Sequence, residues 1–276
     1  MKTRVLTAVV MVAVMVPFFV FSQTVAFPIL IGALAVVGVA EMQSCIGVKR
    51  HGITVIPLCT VAGCLPFLAR YADETLRFSY LYAVVFAVLT FCFIVSVFSG
   101  KAYPVDRAAM AGASTVYIAV GFTAVVMLRD LPFGGYIYFL AFIIPWVTDT
   151  FAYFSGRLFG KHKLIPEVSP KKTVEGSVGG TLFAVLLTVL YGFVIGLVSE
   201  AKPDYVALVI VAATVSLLAQ CGDLVMSLIK RKFGIKDYGT LFPGHGGVLD
   251  RFDSILVSAP TLYFLTVLIP SFSLFR

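Results

Sequence analysis

Residues 177–198 read SVGGTLFAVLLTVLYGFVIGLV, 22 positions without one charged side chain. A bilayer-spanning helix needs about 20 consecutive apolar residues, so this stretch reads as a membrane span. It shows no period-two alternation, which makes a barrel strand improbable. Outward from it, similar runs recur between charges at 5–22, 25–43, 53–69, 78–98, 108–128, 134–156, 205–229 and 253–274. The fold class expected is an all-α, polytopic integral membrane protein with nine transmembrane helices. Composition agrees: 60% of the 276 residues are apolar and 13% are charged, with mean hydropathy +1.01. A soluble domain has about 45–50% apolar and about 25% charged residues, so soluble, disordered and collagen-like classes are excluded. Lys2 and Arg4 before the first run resemble a signal peptide. The run is long and a second span follows at once, so an uncleaved helix is expected.

Orientation follows from Lys and Arg, which accumulate on the cytoplasmic side. With nine spans, only Arg70, Arg77, Arg129, Lys202 and Arg276 of the 21 basic residues fall on the side opposite the N-terminus. The N-terminus is therefore expected in the cytoplasm, as are loops 157–176 and 230–252. The chain divides into N-terminal spans, 1–130, and C-terminal spans carrying these two loops, 131–276. Net charge is +7. Segments 157–175 and 230–251 each hold five Lys/Arg against two acidic residues, so +6 of the +7 lies there. Such loops suit topology, anionic lipid or a phosphate-bearing ligand. Cys45, Cys59, Cys64, Cys92 and Cys221 form no C-x-x-C pair and read as small hydrophobes. Gly176/Gly180 and Gly192/Gly196 have G-x-x-x-G spacing, which serves packing inside a bundle or a homodimer seam.

Carboxylates at membrane depth are costly and mark functional sites. Glu41, Asp149 and Asp223 qualify, although Glu41 lies close enough to a loop to be solvated. Asp223, Ser227, Lys230 and Arg231 share one helical face, running from a carboxylate to a basic mouth. An Asp–Lys or Asp–Arg pair that only neutralises charge has the same spacing. Beyond it, Pro243-Gly244-His245-Gly246-Gly247 forces a tight loop whose backbone N–H groups can face a ligand. Asp250 and Asp253 then open the last span, either as helix-dipole partners or, with Asp250 facing Asp223, as a hard-oxygen site suited to Mg²⁺. In the other loop, Asp149, Tyr153 and Gly156 share a face. Ser169-Pro170-Lys171-Lys172-Thr173-Val174-Glu175-Gly176 combines lysines, hydroxyls and a permissive glycine, a composition suited to polyphosphate. It is not a Walker loop.

The 27 residues from Ser227-Leu-Ile-Lys230-Arg231 through Lys236-Asp237 and Pro243-Gly-His245-Gly246-Gly247-Val-Leu-Asp250-Arg251-Phe-Asp253 resemble the signature of the phosphatidate cytidylyltransferase (CDP-diacylglycerol synthase) family. Segment 169–176 resembles that family's upstream motif; the first 130 residues match in hydropathy alone. The resemblance implies Mg²⁺-dependent transfer from CTP to phosphatidate at the cytoplasmic face of the cell membrane, with room for a second cation. It implies Asp223 and Asp250 as metal-binding carboxylates. Lys230, Arg231, Lys171 and Lys172 are then phosphate partners, and Gly246 and Gly247 let the loop approach the nucleotide. Ser169, Thr173, Lys236 and Arg251 join the expected substrate contacts. His245 either bonds a phosphate or leaving group or structures the loop, and Asp253 pairs with Arg251 or Lys236. Membrane lipid is the expected surrounding; no nucleic acid is expected as a partner. The main rival is a cation- or proton-coupled transporter using Asp149 and Asp223 as a relay. Polar residues clustered toward one face favour the interfacial enzyme.

Overall fold

The computed structural model describes residues 13, 16–17, 19–48, 52–73, 75–268 and 273–276. Among them, seven helices are long and apolar enough to cross a membrane. These are α1 (Ala26–Ile46), α2 (Gly52–Tyr71), α3 (Arg77–Ser99), α4 (Val105–Arg129), α5 (Gly134–Phe159), α6 (Val174–Val198) and α7 (Tyr205–Lys232). Two shorter helices follow, α8 (Leu249–Phe252) and α9 (Ile255–Leu268). The expected span at 5–22 lies mostly outside the described residues. Of the expected span at 253–274, the described residues form helix over Ile255–Leu268. Pro203 instead forms a bridge with Phe275, and Lys202 and Arg276 exchange backbone hydrogen bonds at 2.7 and 2.9 Å. A second difference is a small antiparallel hairpin, β1 (Lys163–Ile165) with β2 (Ser169–Thr173), in the 157–176 loop. The apolar runs form no strand among the described residues; this hairpin lies between two spans, where Pro170 favours extended backbone at its neighbour.

The chain forms two compact units. The first comprises Met1–Met127 and Lys232–Phe252, so segment 232–252 groups with the N-terminal helices. Here α1 packs closely on α2, where a Cβ on Gly32 would stand 2.5 Å from the Gly63 carbonyl oxygen. Gln43 Nε2 donates to the Ala111 carbonyl at 3.2 Å and to Thr115 Oγ1 at 3.1 Å, tying α1 to α4. Leu249, Ile118 and Phe122 fill the space beside Gly38. Helix α3 leaves Tyr82, Phe86, Val97 and Phe98 exposed, as expected for side chains that face lipid rather than water.

The second unit comprises Leu128–Arg231 and Asp253–Arg276. Its most extensive pairing is α5 on α6. A Cβ on Gly176 would stand 2.7 Å from the Ala152 carbonyl oxygen, and one on Gly180 would stand 2.5 Å from that of Thr148. Gly192 and Gly196 are likewise filled by Leu208 and Pro203. Gly176, Gly180 and Gly192 are thus buried inside the unit, while Gly196 is exposed. The hydroxyls of Thr148 and Ser216 hydrogen-bond at 2.8 Å, those of Thr181 and Ser216 at 3.1 Å, and Gln220 Nε2 donates to Thr181 Oγ1 at 3.1 Å. That chain of hydroxyls and amide joins α5, α6 and α7 next to Asp149 and Asp223.

Candidate active site

In the second unit, three carboxylates converge from three segments. Asp223 comes from α7, Asp149 from α5, and Asp253 from the turn before α9. Gly222 permits the last approach, since a Cβ there would stand 2.6 Å from Val257 Cγ2 and 3.2 Å from the Asp253 carbonyl oxygen. The side chains of Asp223 and Asp253 lie within hydrogen-bonding reach of each other. Lys172 Nζ forms an ion pair with Asp223 Oδ2. Asp149 lies within electrostatic reach of both Asp223 and Lys172, and Lys230 within reach of Asp223 and Asp253. Two carboxyl groups in contact require a shared proton or a cation between them. Lys172 supplies a cation beside that pair.

A cleft of about 270 Å³ opens beside the cluster. Asp149, Tyr153, Gly156 and Arg157 line it from one face of α5, and Lys171, Lys172 and Thr173 from β2. Ser177 and Gln220 are also in its wall. Local sequence explains the wall. Thr173 caps α6 by accepting a hydrogen bond from Gly176 N at 3.1 Å. Glu175, in the first turn of that helix, accepts from His162 N at 3.2 Å and meets His162 Nδ1 at 2.6 Å. These contacts fix the hairpin on the end of α6, so both lysines of β2 reach the cleft.

The first unit holds Lys236, His245, Gly246, Gly247, Asp250 and Arg251. Gly244 and Gly246 adopt left-handed backbone with φ of 77° and 88°, closing the turn in which Phe242 N donates to the Gly246 carbonyl at 2.9 Å. Asp250 is buried, and its Oδ2 accepts from Tyr238 N at 2.7 Å and Gly247 N at 2.9 Å. The Asp250 carboxylate also fills the space beside Gly246, and Glu41 fills that beside Gly247. His245 Nδ1 is buried without a hydrogen-bond partner among the described residues. Lys236 and Arg251 are exposed.

The structure thus gathers Asp149, Asp223, Asp253, Lys171, Lys172, Thr173 and Lys230, and adds Arg157 and Gln220. Ser169 begins β2. Arg231, on the last turn of α7, is exposed. Asp253 contacts Asp223, where the expectation was a pair with Arg251 or Lys236. No three His, Cys, Asp or Glu side chains form a complete metal-ligand set among the described residues. A carboxylate pair nevertheless fits Mg²⁺, which uses one or two carboxylates when substrate phosphates complete its shell.

Comparison with known proteins extends over nearly the whole chain. The profile of the cytidylyltransferase family matches residues 2–269. The chain is 34% identical over 278 residues to the phosphatidate cytidylyltransferase of Bacillus subtilis (strain 168), covering 97% of this chain and 98% of that protein. It is similar at 33% over 270 residues to the phosphatidate cytidylyltransferase of Staphylococcus haemolyticus (strain JCSC1435), with 97% and 99% covered. To that of Staphylococcus aureus (strain COL) it is 35% identical over 273 residues, again with 97% and 99% covered. With the match spanning both units, the chain belongs to the cytidylyltransferase family.

Proposed function

We propose that the protein catalyses CTP + phosphatidate → CDP-diacylglycerol + diphosphate, with Mg²⁺, at the cytoplasmic face of the cell membrane. The observation that carries this is the near-complete alignment with relatives named phosphatidate cytidylyltransferase. A phosphatidate oxygen attacks the α-phosphorus of CTP, and the bond from that phosphorus to the bridging oxygen of the β-phosphate breaks. Comparable phosphate monoesters have a second pKa of about 6, so the nucleophile is already mostly ionised near neutral pH. No strong general base is needed. The barrier lies in bringing two polyanions together and stabilising the departing diphosphate.

Lys171, Lys172 and Arg157 offer positive charge at the cleft, and Lys230 beside the carboxylates. They orient and neutralise phosphates, and Lys172 is free to exchange Asp223 for a substrate oxygen. Asp223 with Asp253 would hold Mg²⁺; Asp250, which the resemblance to the family also names as a metal-binding carboxylate, has its Oδ2 committed to the amides of its own loop. When bound, that ion neutralises charge on phosphate oxygens. The bias of Lys and Arg toward one side supports a cytoplasmic N-terminus and nine spans, counting the run at 5–22 and the shorter α9.

Purified protein in detergent micelles tests the proposal. Labelled CTP should become a lipid-soluble CDP product with phosphatidate and Mg²⁺ present, and omission of either should stop it. Absence of product with active lipid and metal would sink the enzyme. Product formation without ion movement in vesicles separates it from a transporter.

A further inference from the structure

Glu41 sits near the end of α1, and its carboxylate is spent on a segment 207 and 208 residues away. Oε1 accepts from Val248 N and Oε2 from Leu249 N, both at 2.9 Å. The fit around it is close. A Cβ on Gly247 would stand 2.6 Å from Glu41 Oε2, and one on Gly239 would stand 2.9 Å from Glu41 Cδ. Val248 and Leu249 are fully buried beside it. Asp250 takes the next pair of amides, those of Tyr238 and Gly247. Four backbone N–H groups of one loop are thus satisfied by two carboxylates, one from the loop and one from α1.

We propose that Glu41 is a positioning residue, which sets the backbone of residues 247–249 and thereby the placement of His245 and Asp250 for turnover. It touches no substrate. A carboxylate gives each of two adjacent amides its own acceptor oxygen, whereas an amide or hydroxyl side chain has one acceptor oxygen for both to share. Without it, two buried N–H groups lose their partners, and the loop shifts to regain them.

The inference rests on the activity proposed above. The test compares Glu41→Gln, Glu41→Asp and Gly239→Ala with wild type in micelles, by steady-state kinetics, thermal unfolding and amide hydrogen exchange. In Glu41→Gln the new amide group faces a backbone N–H, and kcat should fall about 100-fold, the cost of a small misplacement of reacting groups. KM for both substrates should hold, and exchange at Val248 and Leu249 should accelerate. Glu41→Asp keeps both acceptors and should recover part of kcat and of the protection. Gly239→Ala should reproduce the kcat defect by displacing the carboxylate, and should not add to Glu41→Gln in the double variant. Wild-type kcat in Glu41→Gln would overturn the proposal. So would an activity loss that only tracks lost folded protein, with Glu41→Asp no better. If wild type itself makes no CDP-lipid, the proposed activity fails, while exchange at Val248 and Leu249 still reports on Glu41.

Discussion

Carboxylates in the two units have opposite kinds of partner. In the first, Glu41 and Asp250 are bound by backbone N–H groups, which belong to the fold and cannot leave. In the second, Asp223 meets Lys172 and Asp253, with Asp149 and Lys230 close by. Those are side chains that can trade partners when a polyanion arrives. A carboxylate bound by amides organises a loop, whereas one facing ammonium groups and another carboxylate keeps its charge available to a ligand. Residue type alone does not separate the roles.

Substitutions at these positions sharpen or break that contrast. Asp223→Asn should abolish turnover with thermal unfolding unchanged, because it removes charge from the exchangeable cluster; retained kcat would take Asp223 out of the site. Asp250→Asn should also abolish turnover, but with faster hydrogen exchange at Tyr238 and Gly247. Lost turnover with wild-type exchange there would move Asp250 to the cation-facing group and dissolve the distinction. Lys172→Met deletes a hydrogen bond to a charged group worth about 1.5–3 kcal/mol, roughly a 10- to 100-fold loss in kcat/KM. An unchanged kcat/KM would leave Lys172 as a neutraliser of Asp223 alone. Gly180→Ala tests the scaffold beneath. Its Cβ would press on the Thr148 carbonyl, and overpacking of this kind costs about 1–3 kcal/mol. A lowered midpoint in thermal unfolding is expected, and an unchanged one would mean that α5 and α6 separate easily.

Much of this was legible in the sequence because hydropathy is local. The runs at 25–43, 53–69, 78–98, 108–128, 134–156, 177–198 and 205–229 each became a long helix. At the end of the last run hydropathy says less, because it counts apolar side chains and not backbone partners, which for residues 274–276 are in 202–204. Among the site residues, Asp149, Tyr153 and Gly156 were placed on one face by helical spacing, and all three line the cleft. Asp223 with Lys172 was not legible as a pair, since the partners lie on different elements and Lys230 was the obvious local candidate. Glu41 was harder still. Its only trace was a carboxylate in an apolar run, and the small residues that make room for it, Gly239 and Gly247, are some 200 positions away.

The separation of Glu41 from its amide partners also bears on how the protein is made. Helix α1 leaves the ribosome long before Val248 and Leu249 do, with 207 residues between the first pair. At about 5–20 residues per second, that is a wait of about 10–40 s. An unpaired carboxylate at membrane depth is costly. Until the loop arrives, the two acceptor oxygens of Glu41 are left to interfacial water, and their bonds to Val248 N and Leu249 N form only after nearly the whole chain has been made.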